Sequence, residues 1–154
     1  MRVTIIAVGK LKEPWWRDAA AEYVKRLGPY ATVNIVEVAD RDVSRDESRA
    51  IAEEAADILR VLPDSAHLVA LDACGRQLSS EALSAWVASH GLDGRSHLAF
   101  VIGGAAGLGE AVLERAEERL SFGAMTLPHQ LARVVLLEQV YRAFRIMRGE
   151  PYHR

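Results

Sequence analysis

Residues 98–109, with the sequence LAFVIGGAAGLG, decide the fold: five apolar residues lead directly into a loop with four glycines in seven residues. The apolar run is typical of a strand buried in a parallel sheet. Glycine is needed where a backbone turns sharply or closely approaches a ligand. A helix over residues 110–119 is predicted to follow. The amide groups of such a loop can bind an adenine edge, a carboxylate or a phosphate, so the loop is our first candidate for a binding site.

The spacing of these glycines excludes two familiar phosphate-binding motifs. Val112 stands where the dinucleotide fingerprint needs a third glycine after Gly107 and Gly109. The Lys-Ser/Thr pair of a Walker A loop is missing, and the loop follows the fourth predicted strand rather than the first. A tight turn between a strand and a helix, with no ligand, therefore stays open as an alternative interpretation.

Strands and helices alternate along the whole chain, which predicts an α/β fold. Gly75 is predicted to mark the turn after the third strand. The predicted strands are residues 3–8, 30–39, 67–72 and 98–102, with a short fifth strand or extended segment at 121–127, and the predicted helices are residues 14–27, about 46–62, 79–91, 110–119 and 130–148. We therefore expect a single domain over residues 1–154, with a mostly parallel sheet flanked by helices.

The composition is that of an ordinary soluble domain. Of the 154 residues, 50% are apolar and 26% are charged, and a chain of this size buries roughly two-thirds of its surface on folding. The one cysteine, Cys74, excludes an intrachain disulfide and any multi-cysteine metal site. No apolar run approaches the roughly 18–20 residues of a membrane span, and the N-terminal segment lacks the pattern of a signal peptide. We expect a cytoplasmic protein with no membrane partner.

Positive charge is concentrated at the C-terminal end of the chain. The net charge is −2, yet residues 129–154 carry five arginines against two glutamates. Arg142, Arg145 and Arg148 form a ridge on the last predicted helix, which suits phosphate oxygens or guanine edges, unless it is a solvated face paired with Glu138. The tail at 151–154 combines a tyrosine, a histidine and an arginine, which can stack on a base and hold phosphate; a frayed terminus is the alternative.

A histidine stands at the start of the last predicted helix. In residues 125–130, MTLPHQ, a proline ends the extended segment and His129 begins the helix, as either a capping or a catalytic residue. The helix is apolar on more than one face, which favours a subunit interface. His67, His90 and His97 show no metal-ligand spacing, so we expect no metal site.

Several short motifs, taken together, resemble one known family over the whole chain. They are AVGK at residues 7–10, Leu71-Asp72, IGGxxGL at 102–108, LPHQxxR at 127–133, EQxYRA at 138–143 and the terminal PYHR at 151–154. This combination resembles the ribosomal RNA large subunit methyltransferase H family of the SPOUT class. Each motif alone is weak, and the specificity lies in the set.

The resemblance implies a fold and an activity that periodicity does not show. It implies a SPOUT-type fold with a C-terminal trefoil knot, the cofactor-binding knot region spanning about residues 68–154, and a homodimer. It also implies S-adenosyl-L-methionine as methyl donor and N3 of pseudouridine 1915, in helix 69 of 23S rRNA, as acceptor. The substrate would be the assembled ribosome, and no metal is implied.

The resemblance also assigns site residues. It places the cofactor on Leu71, Gly103, Gly104, Phe122, Gly123, Ala124, Met125, Thr126 and Leu127, and the acceptor near Arg133, Tyr152, His153 and Arg154. His129 is the candidate base, and Arg142 is the candidate for stabilising negative charge on the ring oxygens. Two other functions stay open here: a ribosome-binding protein without catalysis, and a nucleotide-binding enzyme with a conventional doubly wound sheet.

Overall fold

In the part of the chain that the structure describes, five parallel strands form one sheet and five helices cover its two faces. The computed structural model describes residues 1–92 and 96–152. The strands are β1 (Arg2–Val8), β2 (Thr32–Val38), β3 (His67–Gln77), β4 (His97–Ile102) and β5 (Glu118–Ser121), and the helices are α1 (Pro14–Leu27), α2 (Glu47–Val61), α3 (Ser80–Leu92), α4 (Glu110–Arg115) and α5 (His129–Met147). The strand order is β2-β1-β4-β3-β5, with every pairing parallel, which confirms the predicted fold class.

Apolar side chains alternate along the central strands and build a core on each face. In β1, Ile5 and Ile6 are both fully buried and belong to different cores. One core joins the sheet to α1, α3 and α5 through residues such as Leu27, Val87 and Leu137. The other joins it to α2 and α4. Strands buried on both faces give the continuous apolar runs from which the sheet was predicted.

The third strand is longer than its apolar run. β3 was predicted to end at Asp72, with Gly75 in the turn, but it continues to Gln77. An irregularity lets both Leu71 and Arg76 pair with Leu120 of β5. A Cβ on Gly75 would lie 2.6 Å from the Leu120 nitrogen, so the glycine serves a close backbone passage and the predicted turn is wrong.

The boundary between α4 and β5 also differs from the prediction. The helix predicted over residues 110–119 ends at Arg115, and the fifth strand occupies Glu118–Ser121 instead of residues 121–127. Residues 118–120 pair with β3, which buries Leu120 and leaves Arg119 exposed. An edge strand tolerates charged residues on its outer side, so the charged run concealed the strand.

The last helix is covered within the chain on two sides. α5 packs against α1 and α3, and Leu136, Leu137 and Val140 are almost fully buried. Leu131 and Val135, on another face, are only partly buried.

Among residues 1–92 and 96–152, no helix has the length and hydropathy needed to cross a membrane.

Candidate functional site

A cavity of about 590 Å³ opens where β4 and β5 end and where the pairing of β3 becomes irregular after Leu71. Neighbouring parallel strands bring their carboxyl ends to one edge of a sheet, which is where open α/β sheets bind ligands. The volume lies within the range of small-molecule sites. The lining includes all nine predicted cofactor residues, namely Leu71, Gly103, Gly104, Phe122, Gly123, Ala124, Met125, Thr126 and Leu127. The two loops that the resemblance assigned to the cofactor therefore share one cavity.

The glycine loop after β4 is a tight turn that also forms part of the cavity wall. The Gly107 amide donates to the Gly104 carbonyl at 3.1 Å. A Cβ on Gly103 would lie 2.7 Å from the carbonyl carbon and oxygen of Gly107, so no larger residue fits there without moving the turn. The turn interpretation and the binding interpretation are thus compatible.

Acidic groups surround this loop. A Cβ on Gly104 would lie 3.5 Å from Oδ1 of Asp40 and 3.6 Å from Oε1 of Glu54. Glu54 is 3% exposed, and burial raises the pKa of its carboxyl group. Asp72 is part of the cavity wall, and no lysine or arginine is found among the described residues that line it. Asp72 pairs with Arg119 at 3.6 Å, and the lack of basic side chains among the described residues of the wall suits a neutral or cationic ligand better than a polyphosphate.

His129 is the first residue of α5 and part of the cavity wall. It follows Pro128, which ends the loop from β5, and it is partly buried. Its Nε2 lies 3.9 Å from the position that a Cβ on Gly9 would occupy, beside the turn after β1. A partly exposed imidazole on a cavity wall can exchange a proton with a bound ligand.

Arg133 lies one turn further along α5, and its side chain points into the fold. The residue is 2% exposed; Nη1 donates to Glu37 at 2.7 Å, and Nη2 donates to the Gly9 carbonyl at 2.9 Å. The guanidinium therefore fastens the start of α5, and with it His129, to β2 and to the turn after β1. In this arrangement it is shielded from any RNA phosphate, although Arg133 was predicted to contact the substrate.

Arg142 and Tyr152, two further predicted site residues, lie together in a second place, which they form with Glu138 and Tyr141 and which we call the tail cluster. Arg142 donates to Glu138 from Nε at 2.9 Å and from Nη2 at 2.6 Å, and its guanidinium lies 4.7 Å from the Tyr152 ring centroid. The Tyr152 hydroxyl donates to Glu138 at 3.1 Å, and the Tyr141 ring meets Tyr152 edge-on at 4.9 Å.

Charge and burial set the titration of the tail cluster. Burial, together with hydrogen bonds to Tyr23 and Glu138, raises the pKa of Tyr152 to about 12. The hydrogen bonds that Arg142 donates to the Glu138 carboxylate raise the pKa of the Arg142 guanidinium. Arg142 is thus a permanent cation, and Tyr152 stays neutral. His153 and Arg154, also predicted to contact the substrate, lie outside the described residues.

The cavity and the tail cluster are far apart within one chain. Arg142 follows His129 by thirteen residues of the same helix, and at 1.5 Å per residue this is about 20 Å along its axis. No residue of the tail cluster is among those lining the cavity. One chain therefore does not bring both predicted catalytic residues to the same ligand.

Sequence reasoning missed several residues of the cavity wall. Asp72, Ser121 and Ala132 line it, but none was assigned to the site. Ala132 stands three residues after His129 on one helix face, a spacing that could have pointed to it. Ser121 could not have been found, since its position depends on where β5 ends.

Comparisons with known proteins identify the family of this chain. The sequence model of a family described as "Predicted SPOUT methyltransferase" matches residues 1–153. Proteins named "Ribosomal RNA large subunit methyltransferase H" are similar over the full length of both chains, with 49% identity in Carboxydothermus hydrogenoformans and 52% in Listeria monocytogenes.

Solved structures support the fold alone, because their sequence identity is low. A probable methyltransferase from Bordetella pertussis is 18% identical, with a TM-score of 0.60 covering 93% of this chain and 96% of that one. A probable methylase family protein from Haemophilus influenzae is 16% identical, with a TM-score of 0.57 covering 99% of this chain and 70% of that one. The full-length relatives confirm the resemblance seen in the sequence. The chain is a methyltransferase of the SPOUT class and belongs to the ribosomal RNA large subunit methyltransferase H family.

Proposed function

We propose that this enzyme methylates N3 of pseudouridine 1915, in helix 69 of 23S rRNA, on the assembled ribosome in the cytoplasm. S-adenosyl-L-methionine is the methyl donor in this proposal. The observation that carries it is the single cavity shared by the glycine loop, residues 122–127 and His129. The names of the full-length relatives support large-subunit rRNA as the substrate.

The residues of the cavity fit this cofactor. Leu71 and Leu127 offer apolar surface for an adenine ring, while the main chain of residues 103–104 and 122–127 offers amides and carbonyls for its polar edge. Asp72 lines the cavity and pairs with Arg119, which lies outside the lining, at 3.6 Å; with no lysine or arginine among the described residues of the wall, the site suits a positively charged sulfur. When bound, S-adenosyl-L-methionine supplies a methyl group activated by that charge.

The chain's own residues then handle the proton and the charge of the acceptor. His129 accepts the N3 proton at Nε2, which makes N3 a nucleophile. Arg142 holds the negative charge that develops on the ring oxygens. Arg133 keeps His129 in place by fastening α5 to Gly9 and Glu37. Tyr152 stacks beside Arg142 and orients its guanidinium.

A homodimer reconciles these roles with the distance between His129 and Arg142. About 20 Å along α5 separates the two residues in one chain, so we infer that the tail cluster of a second copy faces the cavity. Partly exposed apolar residues of α5, Leu131 and Val135, support an interface there, as do the exposed Trp15 (63%) and Met125 (85%). The trefoil knot over about residues 68–154 stays a prediction.

The catalytic part of the proposal is tested with undermethylated ribosomes and labelled S-adenosyl-L-methionine. His129→Gln is expected to slow single-turnover methyl transfer by about 100-fold or more, with cofactor affinity within about threefold of the original. Gln130→Ala, the neighbouring residue on α5, is the matched control and should keep the full rate. If calorimetry detects no cofactor binding at millimolar concentration, a ribosome-binding protein without catalysis becomes the better description.

Mixing two inactive variants tests the shared site. Equal amounts of His129→Gln and Arg142→Gln protein, allowed to exchange subunits, form heterodimers in half of all dimers. If each site takes His129 from one copy and Arg142 from the other, one site in each heterodimer is intact, and about a quarter of the original activity returns. No recovery after verified exchange would show that both residues act from the same chain.

A further inference from the structure

Two histidines and a glutamate meet at the end of the sheet opposite the cavity. His67 begins β3, Glu118 begins β5, and His90 lies in the last turn of α3. One ligand atom from each of the three lies within 4.8 Å of the other two. Nε2 of His67 is 3.6 Å from Oε1 of Glu118, and the rings of His67 and His90 are 4.5 Å apart between centroids.

This set of atoms matches the preferences of zinc. Two imidazoles and one carboxylate are a common protein ligand set for zinc, with a water in the fourth position. Tetrahedral bonds of about 2.0–2.1 Å place the ligand atoms about 3.3–3.4 Å from one another. The distance of 3.6 Å between Nε2 of His67 and Oε1 of Glu118 is already close to this value. The ligand atoms that are furthest apart, at up to 4.8 Å, would have to move about 1.5 Å closer together.

Outer hydrogen bonds already orient two of the three ligands. Nδ1 of His90 lies 2.9 Å from the Trp86 carbonyl, which can only accept, so Nδ1 carries the proton and Nε2 keeps a lone pair. The Trp86 indole donates to Oε1 of Glu118 at 2.6 Å. Hydrogen-bond partners of this kind fix the orientation and tautomer of metal-binding side chains. Here Trp86 is the partner of both His90 and Glu118.

The cluster is mostly buried but open to solvent on one side. The side chain of His67 is 9% exposed and that of Glu118 is 27% exposed, so solvent reaches the cluster from the glutamate side. Arg76 is paired with Oε2 of Glu118, away from the oxygen that faces His67. Its charge opposes a cation, so we expect an affinity below that of four-ligand structural zinc sites.

We propose that His67, His90 and Glu118 form a binding site for a divalent transition-metal cation, zinc, separate from the methyltransferase site. The bound ion would join α3 to β3 and β5. These elements also contribute to the core that packs against α5. None of the three residues lines the cavity. The site is therefore structural, and methyl transfer does not depend on chemistry at the ion.

Calorimetric titration of the tag-free, metal-stripped protein with zinc tests the proposal. We expect one ion per chain and a rise in Tm of about 5–10 °C at a hundredfold excess over Kd. His90→Gln and Glu118→Gln should each weaken binding at least about 30-fold. His97→Gln, a second buried histidine outside the cluster, is the matched control and should leave zinc affinity unchanged.

Cobalt absorbance separates this site from binding at the exposed Cys74. The cluster predicts visible d–d bands of a tetrahedral cobalt ion without a thiolate charge-transfer band, unchanged in Cys74→Ser and lost in His90→Gln. Absence of saturable zinc binding by the original chain would overturn the proposal. It would equally be overturned by zinc affinity that survives in both His90→Gln and Glu118→Gln.

Discussion

Replacing Arg133 by methionine is expected to destabilise the protein strongly. The change removes a buried guanidinium that donates to Glu37 at 2.7 Å and to the Gly9 carbonyl at 2.9 Å. Breaking a fully buried ion pair costs about 3–5 kcal/mol, but the Glu37 side chain is 34% exposed and can be solvated. The Gly9 carbonyl loses its donor, at about 1–3 kcal/mol. We therefore expect a loss of about 2–4 kcal/mol in the free energy of unfolding.

Urea unfolding followed by circular dichroism measures this loss at a fixed protomer concentration. With a slope of about 2 kcal/mol per molar, the midpoint should fall by about 1–2 M urea. Arg17→Met is the matched control, because Arg17 is exposed on α1 and donates to the Leu11 and Lys12 carbonyls in the segment just before that helix. It should change stability by no more than about 0.5 kcal/mol.

A double-mutant cycle with Glu37→Gln isolates the ion pair. If Arg133 and Glu37 act on each other, the double variant should lose at least about 1 kcal/mol less than the sum of the single losses. The reasoning is refuted if Arg133→Met leaves the urea midpoint within about 0.3 M of the original and instead weakens ribosome binding. In that case the guanidinium would contact RNA, as the sequence motif suggested.

Three further predictions follow from the site and the core. Gly103→Ala should weaken S-adenosyl-L-methionine binding at least about tenfold in calorimetry, because the new Cβ would lie 2.7 Å from the Gly107 carbonyl. Gly28→Ala, at the end of α1 and outside the cavity lining, is the control and should leave binding unchanged. Burial, with a smaller effect of Arg2, lowers the pKa of His97 below 6.5. As the pH falls, the unfolded chain therefore protonates His97 before the folded chain does. The free energy of unfolding should decrease below about pH 6.5, and His97→Gln should make this decrease with pH less steep. Deleting residues 152–154 should lower kcat/KM for ribosomes at least about tenfold and leave the cofactor Kd within about twofold; equal losses would show that the tail supports the cavity.

Buried strands were predictable because their apolar runs have no competing interpretation. β4 carries six consecutive buried residues, and α1 begins and ends where Pro14 and Gly28 predict. The fold class followed from this alternation. The end of β3 was not predictable, since residues 73–77 are largely exposed and form a strand only by pairing with β5.

Pairing between distant segments also explains why the helix before residue 120 was predicted too long and the fifth strand too late in the chain. Glu117, Glu118 and Arg119 have the composition of an exposed helix, and nothing local indicates that Leu120 must lie beside Leu71. Leu68 accepts from the Glu117 amide and donates to the Glu117 carboxylate, which ends the helix early. Tertiary context here outweighed helix propensity.

Motifs pointed to loops that line one cavity, but their relation to the tail could not be predicted. Strand ends and glycines pointed to Leu71, Gly103 and Gly104, and these residues share a cavity. The burial of Arg133 could not be predicted from its motif, because an arginine can form a buried ion pair or contact RNA equally well. The meeting of His67, His90 and Glu118 depends entirely on the fold, as no ligand spacing links them.

Mass spectrometry of 23S rRNA from cells with and without this protein tests the central claim most directly. If the enzyme methylates N3 of the helix 69 pseudouridine, the fragment containing it should lose one methyl group when the gene is deleted. The methyl group should return with the original chain and not with His129→Gln. An unchanged mass of that fragment in the deleted strain would contradict the account.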